Sequence, residues 1–176
     1  MPDHEPESER EIVVSRVIDR PRALVFEVFS EAQHLAQWWG PDGFTTTTHA
    51  FDFRVGGVLD YTMHGPDGAD YPNWIEWREI VPPERIVVLH GSRADDPEAF
   101  VSTFTFVERD GATELTLRSV FPTKALRDQV IEEFRAIEGA EQTLGRLAGY
   151  LEGAPPTSIV DISLRFRTTC RAFQPR

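Results

Sequence analysis

The side chains of this sequence that could do acid–base chemistry are few and widely spaced. His64 and His90 lie in strand-patterned runs, Glu76 and Glu79 in another, and Tyr61 and Tyr71 flank them. A histidine titrates near neutral pH and can serve as acid, base or hydrogen-bond donor. His90 shares parity with Ile86 and Val88 and is expected to point inward, whereas His64, opposite in parity to Tyr61 and Met63, is expected at the surface. If Glu76 or Glu79 faced inward, burial would raise its pKa and fit it for general acid or base work. The plainer alternative is a strand-edge carboxylate paired with Arg78, Arg85 or Arg54. Tyr61 and Tyr71 could donate phenolic hydrogen bonds to a carbonyl ligand.

Stronger chemical signatures are missing. The five histidines are scattered, and no HxxH, HExxH or CxxC spacing occurs, so no metal is expected. No GxSxG, phosphate-binding loop or GxGxxG is present, and no cofactor is expected. Gly56-Gly57 reads as a hairpin turn. Cys170 sits beside Arg171, which can lower a thiol pKa, but a single cysteine in a tail is more simply incidental.

Composition narrows the partners. The chain has 176 residues, of which 40% are hydrophobic and 27% charged. That fits one domain, at roughly 100–200 residues per domain, with enough apolar side chains for a core. The longest apolar runs are only a few residues, so no membrane insertion is expected. The net charge of −11 argues against nucleic acid, whose phosphates need a basic surface. The charge is uneven. Residues 153–176 hold four arginines and one aspartate, a net of +3, so the rest carries −14. An acidic N-terminus without an apolar segment is not read as a secretory signal, and the lone Cys170 cannot form an internal disulfide. Both point to a reducing cytoplasm.

The elements that must position these residues follow from periodicity. Residues 1–9 are polar and read as a mobile acidic tail, and 10–18 as a strand. Asp19 and Pro21 supply helix-start chemistry, and Ser30 with Gln33 fits a capping box that starts a second short helix ending near Trp39. The WWGPDGF stretch, residues 38–44, then turns the chain into a strand. Two adjacent indoles at such a junction must be covered, either by core or by the mouth of a pocket. From Phe44 to Phe121 the period is two, with turns at Gly56-Gly57, Pro66-Asp67-Gly68 and Asp110-Gly111. The inward face of 74–80 is open between Trp74/Glu76/Arg78 and Ile75/Trp77/Glu79. A long helix is expected from Pro122 to about Glu152, with an apolar stripe through Leu126, Val130, Phe134, Ile137, Ala140, Leu144, Leu147 and Leu151. The tail alternates Val160, Ile162, Leu164 and Phe166 with polar residues; it is either a strand, able to add to a sheet edge in its own or a partner chain as a homodimer would require, or disordered.

Hairpin joins imply an antiparallel sheet, and one apolar helical stripe covers only one face of it. The expected fold is α+β: a curved antiparallel sheet of about seven strands gripping a long C-terminal helix, with two short helices between strands 1 and 2. Such a grip leaves a cavity. Candidate lining residues are Trp38, Trp39, Phe51, Phe53, Tyr61, Met63, Trp77, His90, Phe104, Phe106, Val130 and Phe134, each of which could instead be plain core.

The sequence resembles the SRPBCC (START-like, helix-grip) superfamily and, within it, homologues of the C-terminal domain of the heat-shock-protein-ninety ATPase activator. The resemblance is carried by IDRPRALVFEVFSEAQHLAQWWGPDGFTTTTHAFDFRVGG at 18–57, HGPDG at 64–68, REIVPPERIVV at 78–88 and EGAEQTLGRLAGYL at 138–151. It spans residues 10–152 and implies a small ligand-cavity fold without fixing one activity. Two departures stand out: 24 residues follow the helix that usually ends this domain, and only nine precede the first strand, where the eukaryotic activator has a separate chaperone-contacting domain. The first expectation is therefore a non-catalytic protein that holds a small apolar or aromatic molecule. The alternatives are a cyclase- or hydratase-type enzyme using His90 or Glu79, and a chaperone-partner module.

Overall fold

The computed structural model describes residues 5–153. Seven strands form one antiparallel sheet: β1 (Glu11–Ile18), β2 (Thr45–Phe51), β3 (Val58–His64), β4 (Asp70–Val81), β5 (Arg85–Gly91), β6 (Phe100–Arg109) and β7 (Ala112–Val120). Their spatial order is β1-β7-β6-β5-β4-β3-β2. Strands β2 to β7 are joined by successive hairpins, and β1 closes the far edge by pairing with β7. Two short helices, α1 (Arg22–Glu27) and α2 (Ala32–Trp38), lie between β1 and β2, and α3 (Lys124–Phe134) and α4 (Ala136–Gly153) follow β7. This is the α+β helix-grip architecture.

Period two produces the sheet's buried face. Leu59 and Tyr61, Ile75 and Trp77, Ile86 and Val88, Phe104 and Phe106, and Leu115 are all buried and share it. The Asp110-Gly111 turn has positive φ at both residues, 53° and 80°, as a two-residue hairpin matched to strand twist requires. A register shift between Trp77 and Glu79 takes one extra residue, Arg78, out of alternation. Ile75 and Trp77 therefore face the core, while Glu79 is half-exposed beside Arg85, its ion-pair partner. Glu76 pairs likewise with Arg78 at 3.2 Å. Both glutamates are surface-paired carboxylates.

Helix starts differ from the sequence expectation. Asp19 does not cap α1. Its backbone N–H donates to Glu152, Pro21 holds the cap position, and the free N–H of Arg22 donates to Glu108 Oε2 at 2.8 Å. A carboxylate from β6 thus does the capping from across the fold. The Ser30/Gln33 box is not made either. Glu31 is the cap residue of α2, Ser30 Oγ donates back to the Glu27 carbonyl, and Gln33 bonds to Glu31.

The C-terminal helical run is interrupted. Arg135 adopts left-handed backbone (φ 50°), separating α3 from the 18-residue α4. The break frees each helix to follow the sheet separately, and it turns Phe134 (63% exposed) and Ile137 (39%) out of the stripe. Residues 7–9 form a 3-10 turn in which Glu7 pairs with Arg118 at 2.9 Å, and Glu5 Oε2 accepts from the Lys124 backbone at 2.8 Å. The alternating segment 160–167 and Cys170 lie outside the described residues.

Candidate functional site

The space between sheet and helices is packed at one end and hollow at the other. At the packed end, Trp38 and Trp77 are fully buried. Phe29 contacts Trp38 at 4.8 Å between ring centroids, and Phe53 contacts Trp77 at the same distance. Phe26 and Phe106 join these groups at 5.3 Å, and Phe51 leans on both Phe53 and Trp77. Close edge-on and tilted contacts of this kind leave no room for a ligand. Trp38, Phe51, Phe53, Trp77 and Phe106 therefore do not line the cavity.

The hollow end holds a cavity of about 460 Å³. Among the expected residues, Trp39, Tyr61, Met63, His90, Phe104, Val130 and Phe134 line it. The walls also take apolar surface from Ile12, Val88, Phe100, Leu117, Phe121 and Leu126, whose strand and helix periodicity does not by itself distinguish wall from core. Exposed lining residues mark the mouth, where Pro72, Ser92, Glu98 and Phe134 meet solvent. Among the described residues, no lysine or arginine lines the cavity.

The turn that separates the two tryptophans from β2 is held from α4. Arg146 Nη1 donates to the carbonyls of Gly40 and Pro41, each at 2.9 Å. Gln142 accepts from the Asp42 backbone at 3.2 Å. Gly40 has φ 106°, and a Cβ there would stand 3.2 Å from Met63 Sδ, so glycine suits both the backbone and the space. This clamp sets Trp39 at the cavity wall while Trp38, one residue earlier, enters the packed end.

Polar groups gather on β3, β4 and β5. Tyr61 pairs with Asn73 across β3 and β4, and His90 lies diagonally from Asn73 on β5. Trp39 Nε1 donates to the Tyr61 hydroxyl at 2.9 Å. His90 Nε2 lies 2.9 Å from Asn73 Oδ1 and 3.3 Å from the Tyr61 hydroxyl. Burial pushes the Tyr61 phenol well above its ordinary pKa, against the smaller opposing effect of the Trp39 hydrogen bond. Burial lowers His90 to about 4, against a smaller opposing effect from the Asp96 charge. At pH 7 both are neutral. Asp96 closes the β5–β6 loop at the mouth, accepting from Ser92 N at 2.7 Å and Ser92 Oγ at 2.8 Å. On the cavity floor, the Ser102 and Ser119 hydroxyls are bonded to each other at 2.7 Å.

His64 is half-exposed, bonded to Asp70 at 2.6 Å and Thr47 at 2.8 Å, and stands apart from the cavity. Tyr71 lines the cavity but commits its hydroxyl to Asp67 at 3.1 Å. Asn73, Ser102 and Arg146 were not singled out from the sequence. Asn73 shares parity with Ile75 and Trp77, which is the signal that could have found it. Arg146 reads as an ordinary polar position between two stripe leucines. Among the described residues, no group of three or more metal-ligating side chains is assembled, and no helix is long and apolar enough to cross a membrane.

Comparison with known proteins agrees with the geometry. The sequence pattern of the family described as "Activator of Hsp90 ATPase homolog 1-like protein" matches residues 19–152. A crystal structure of a protein from Chromobacterium violaceum superposes with a TM-score of 0.69 at 25% identity, covering 80% of this chain and 95% of that one. One from Mycobacterium smegmatis gives 0.73 at 24% identity, with 83% and 93% covered. A solution structure from Arthrobacter aurescens gives 0.76 at 21% identity, with 86% and 91% covered. No curated protein matches the chain. The match over residues 19–152, together with the fold, shows that the chain belongs to the Activator of Hsp90 ATPase homolog 1-like family.

Proposed function

We propose that the protein binds a small, neutral, mainly apolar molecule between the curved sheet and helices α3 and α4. The fold is that of a ligand-binding or ATPase-activator-like module. The observation that carries the ligand reading is the hollow end itself: about 460 Å³ of space, walled mainly by apolar and aromatic side chains, inside a fold whose other end is fully packed. A volume in the range of about 300–1,000 Å³ with a few convergent polar groups suits a small organic ligand. Hydrophobic burial would supply the affinity, and Tyr61, Asn73 and His90 the orientation. Binding without chemistry is favoured over the enzyme alternative by the protonation of those groups. A histidine at about 4 is a weak base at neutral pH, and a phenol pushed upward is a weak acid. Glu79, the other candidate base, is outside the cavity with Arg85.

The test is titration with 1-aminoanthracene, a neutral aromatic whose emission rises on leaving water. Saturable one-to-one binding is expected in the wild type, and its loss in Val130→Trp, where an indole would fill the space beneath α3. Non-saturable binding, or binding indifferent to Val130→Trp, would place the probe elsewhere and remove support for the cavity.

A further inference from the structure

The hydrogen bonds around Tyr61 can be assigned proton by proton. Asn73 Nδ2 donates to the Tyr71 carbonyl at 2.9 Å. A carbonyl only accepts, so the amide orientation is fixed, and it is Asn73 Oδ1 that faces His90 Nε2. An amide oxygen also only accepts, so His90 Nε2 must carry the ring proton. The neutral imidazole then has no lone pair on Nε2 to offer the Tyr61 hydroxyl 3.3 Å away. The Tyr61 oxygen already accepts from Trp39 Nε1. Its own proton is left without an acceptor among the described residues, on a side chain that is 1% exposed and lines the cavity.

We infer that Tyr61 is the specificity-determining residue of the cavity, its unspent hydroxyl proton selecting ligands that carry a neutral acceptor oxygen, a ketone or similar carbonyl, on an apolar ring skeleton. The inference rests on the cavity being a binding site. The neutral form follows from the wall: among the described residues it contains no lysine or arginine, and Asp96 and Glu98 lie at its edge, where a carboxylate or phosphate would meet like charge. Asn73 is a positioning residue. Without it, His90 could move its proton to Nδ1 and accept from Tyr61, which would spend the phenolic proton inside the protein.

The experiment compares 9-fluorenone with fluorene, the same tricyclic skeleton with and without a carbonyl, on the full chain. Wild-type protein should hold fluorenone about tenfold more tightly, the scale of one additional good hydrogen bond. The bound ketone's infrared carbonyl stretch should fall to lower wavenumber. Tyr61→Phe and Asn73→Leu should each abolish both the preference and the shift, with a cooperative thermal unfolding transition reporting that each variant is folded. Equal affinity for the two probes, or an unshifted carbonyl in wild-type protein, would overturn the inference and leave the apolar cavity standing. A preference that survives Tyr61→Phe would overturn it too, pointing to the Ser102–Ser119 pair as the donor, and one that survives Asn73→Leu alone would overturn the positioning role of Asn73. Failure of both probes to bind would overturn the inference together with the binding reading.

Discussion

Trp38 and Trp39 are adjacent in sequence and nearly equally hidden, yet they belong to different environments. Trp38 is sealed against Phe29 at the packed end, and Trp39 forms wall at the hollow end, its indole N–H held by Tyr61. The two ends use the same sheet face and the same period. What differs is the side chains offered. Strands β4 and β6 bring Trp77 and Phe106 to meet Phe26, Phe29 and Phe53, and the space is filled. A few residues along the same strands, the inward positions are Asn73 and Ser102, small polar side chains opposite helix α3 rather than α1. The hollow is thus produced by a change of side-chain volume along continuous strands, with no break in the sheet.

The contrast can be broken most sharply at the packed end. Trp77→Ala should lower the unfolding free energy by about 3–5 kcal/mol, because close-packed surroundings cannot collapse into the void. Leu126→Ala, on a wall that already faces open space, should cost only about 1 kcal/mol. Equal losses in chemical denaturation would mean that the two ends are packed alike.

The polar corner of the hollow end offers a second probe through pH. With His90 at about 4 in the folded chain and about 6.5 unfolded, the unfolded state binds more protons between those values. His90 therefore contributes nothing against stability above about pH 6.5, and stability falls as pH drops from there towards 4, by up to about 3 kcal/mol. Denaturation midpoints of wild type and His90→Gln should diverge from their neutral-pH offset over that window, the wild type losing more. A constant offset would show that the imidazole is solvated.

The junction between the ends is the third target. Arg146→Ala removes the charged donor from the Gly40 and Pro41 carbonyls and should cost about 2 kcal/mol. It should also weaken probe binding at Trp39 while leaving the packed end's near-ultraviolet signature intact. Arg146→Lys, a single point donor in place of a fork, should recover only part of the loss.

Much of this organisation was legible in the sequence, for physical reasons that can be named. Period two exposes one face of every strand, and Asp110-Gly111 is chemistry for a turn with two positive φ angles. Inward parity therefore placed Tyr61, His90 and Phe104 where they are found. The same logic could not separate wall from core, because Phe106 and Phe104 share a strand face and differ only in what lies across from them. It also missed features that depend on distant partners. The bulge at Arg78 turns Glu79 towards Arg85. The cap of α1 comes from Glu108, 86 positions away. The interruption at Arg135 sits within an unbroken apolar stripe, since Val130, Phe134 and Ile137 keep helical spacing across it. Local periodicity does not record how a helix must bend to follow a curved sheet.

The central claim, that one end is built to be filled by another molecule and the other is already full, is tested most directly by the indole N–H resonances of the four tryptophans. In a proton–nitrogen spectrum followed through a titration with 9-fluorenone, the Trp39 indole signal should move saturably, while those of Trp38 and Trp77 stay in place. Equal movement of all three, or a stationary Trp39 at saturation, would contradict the division of the interior into a packed end and a receptive one.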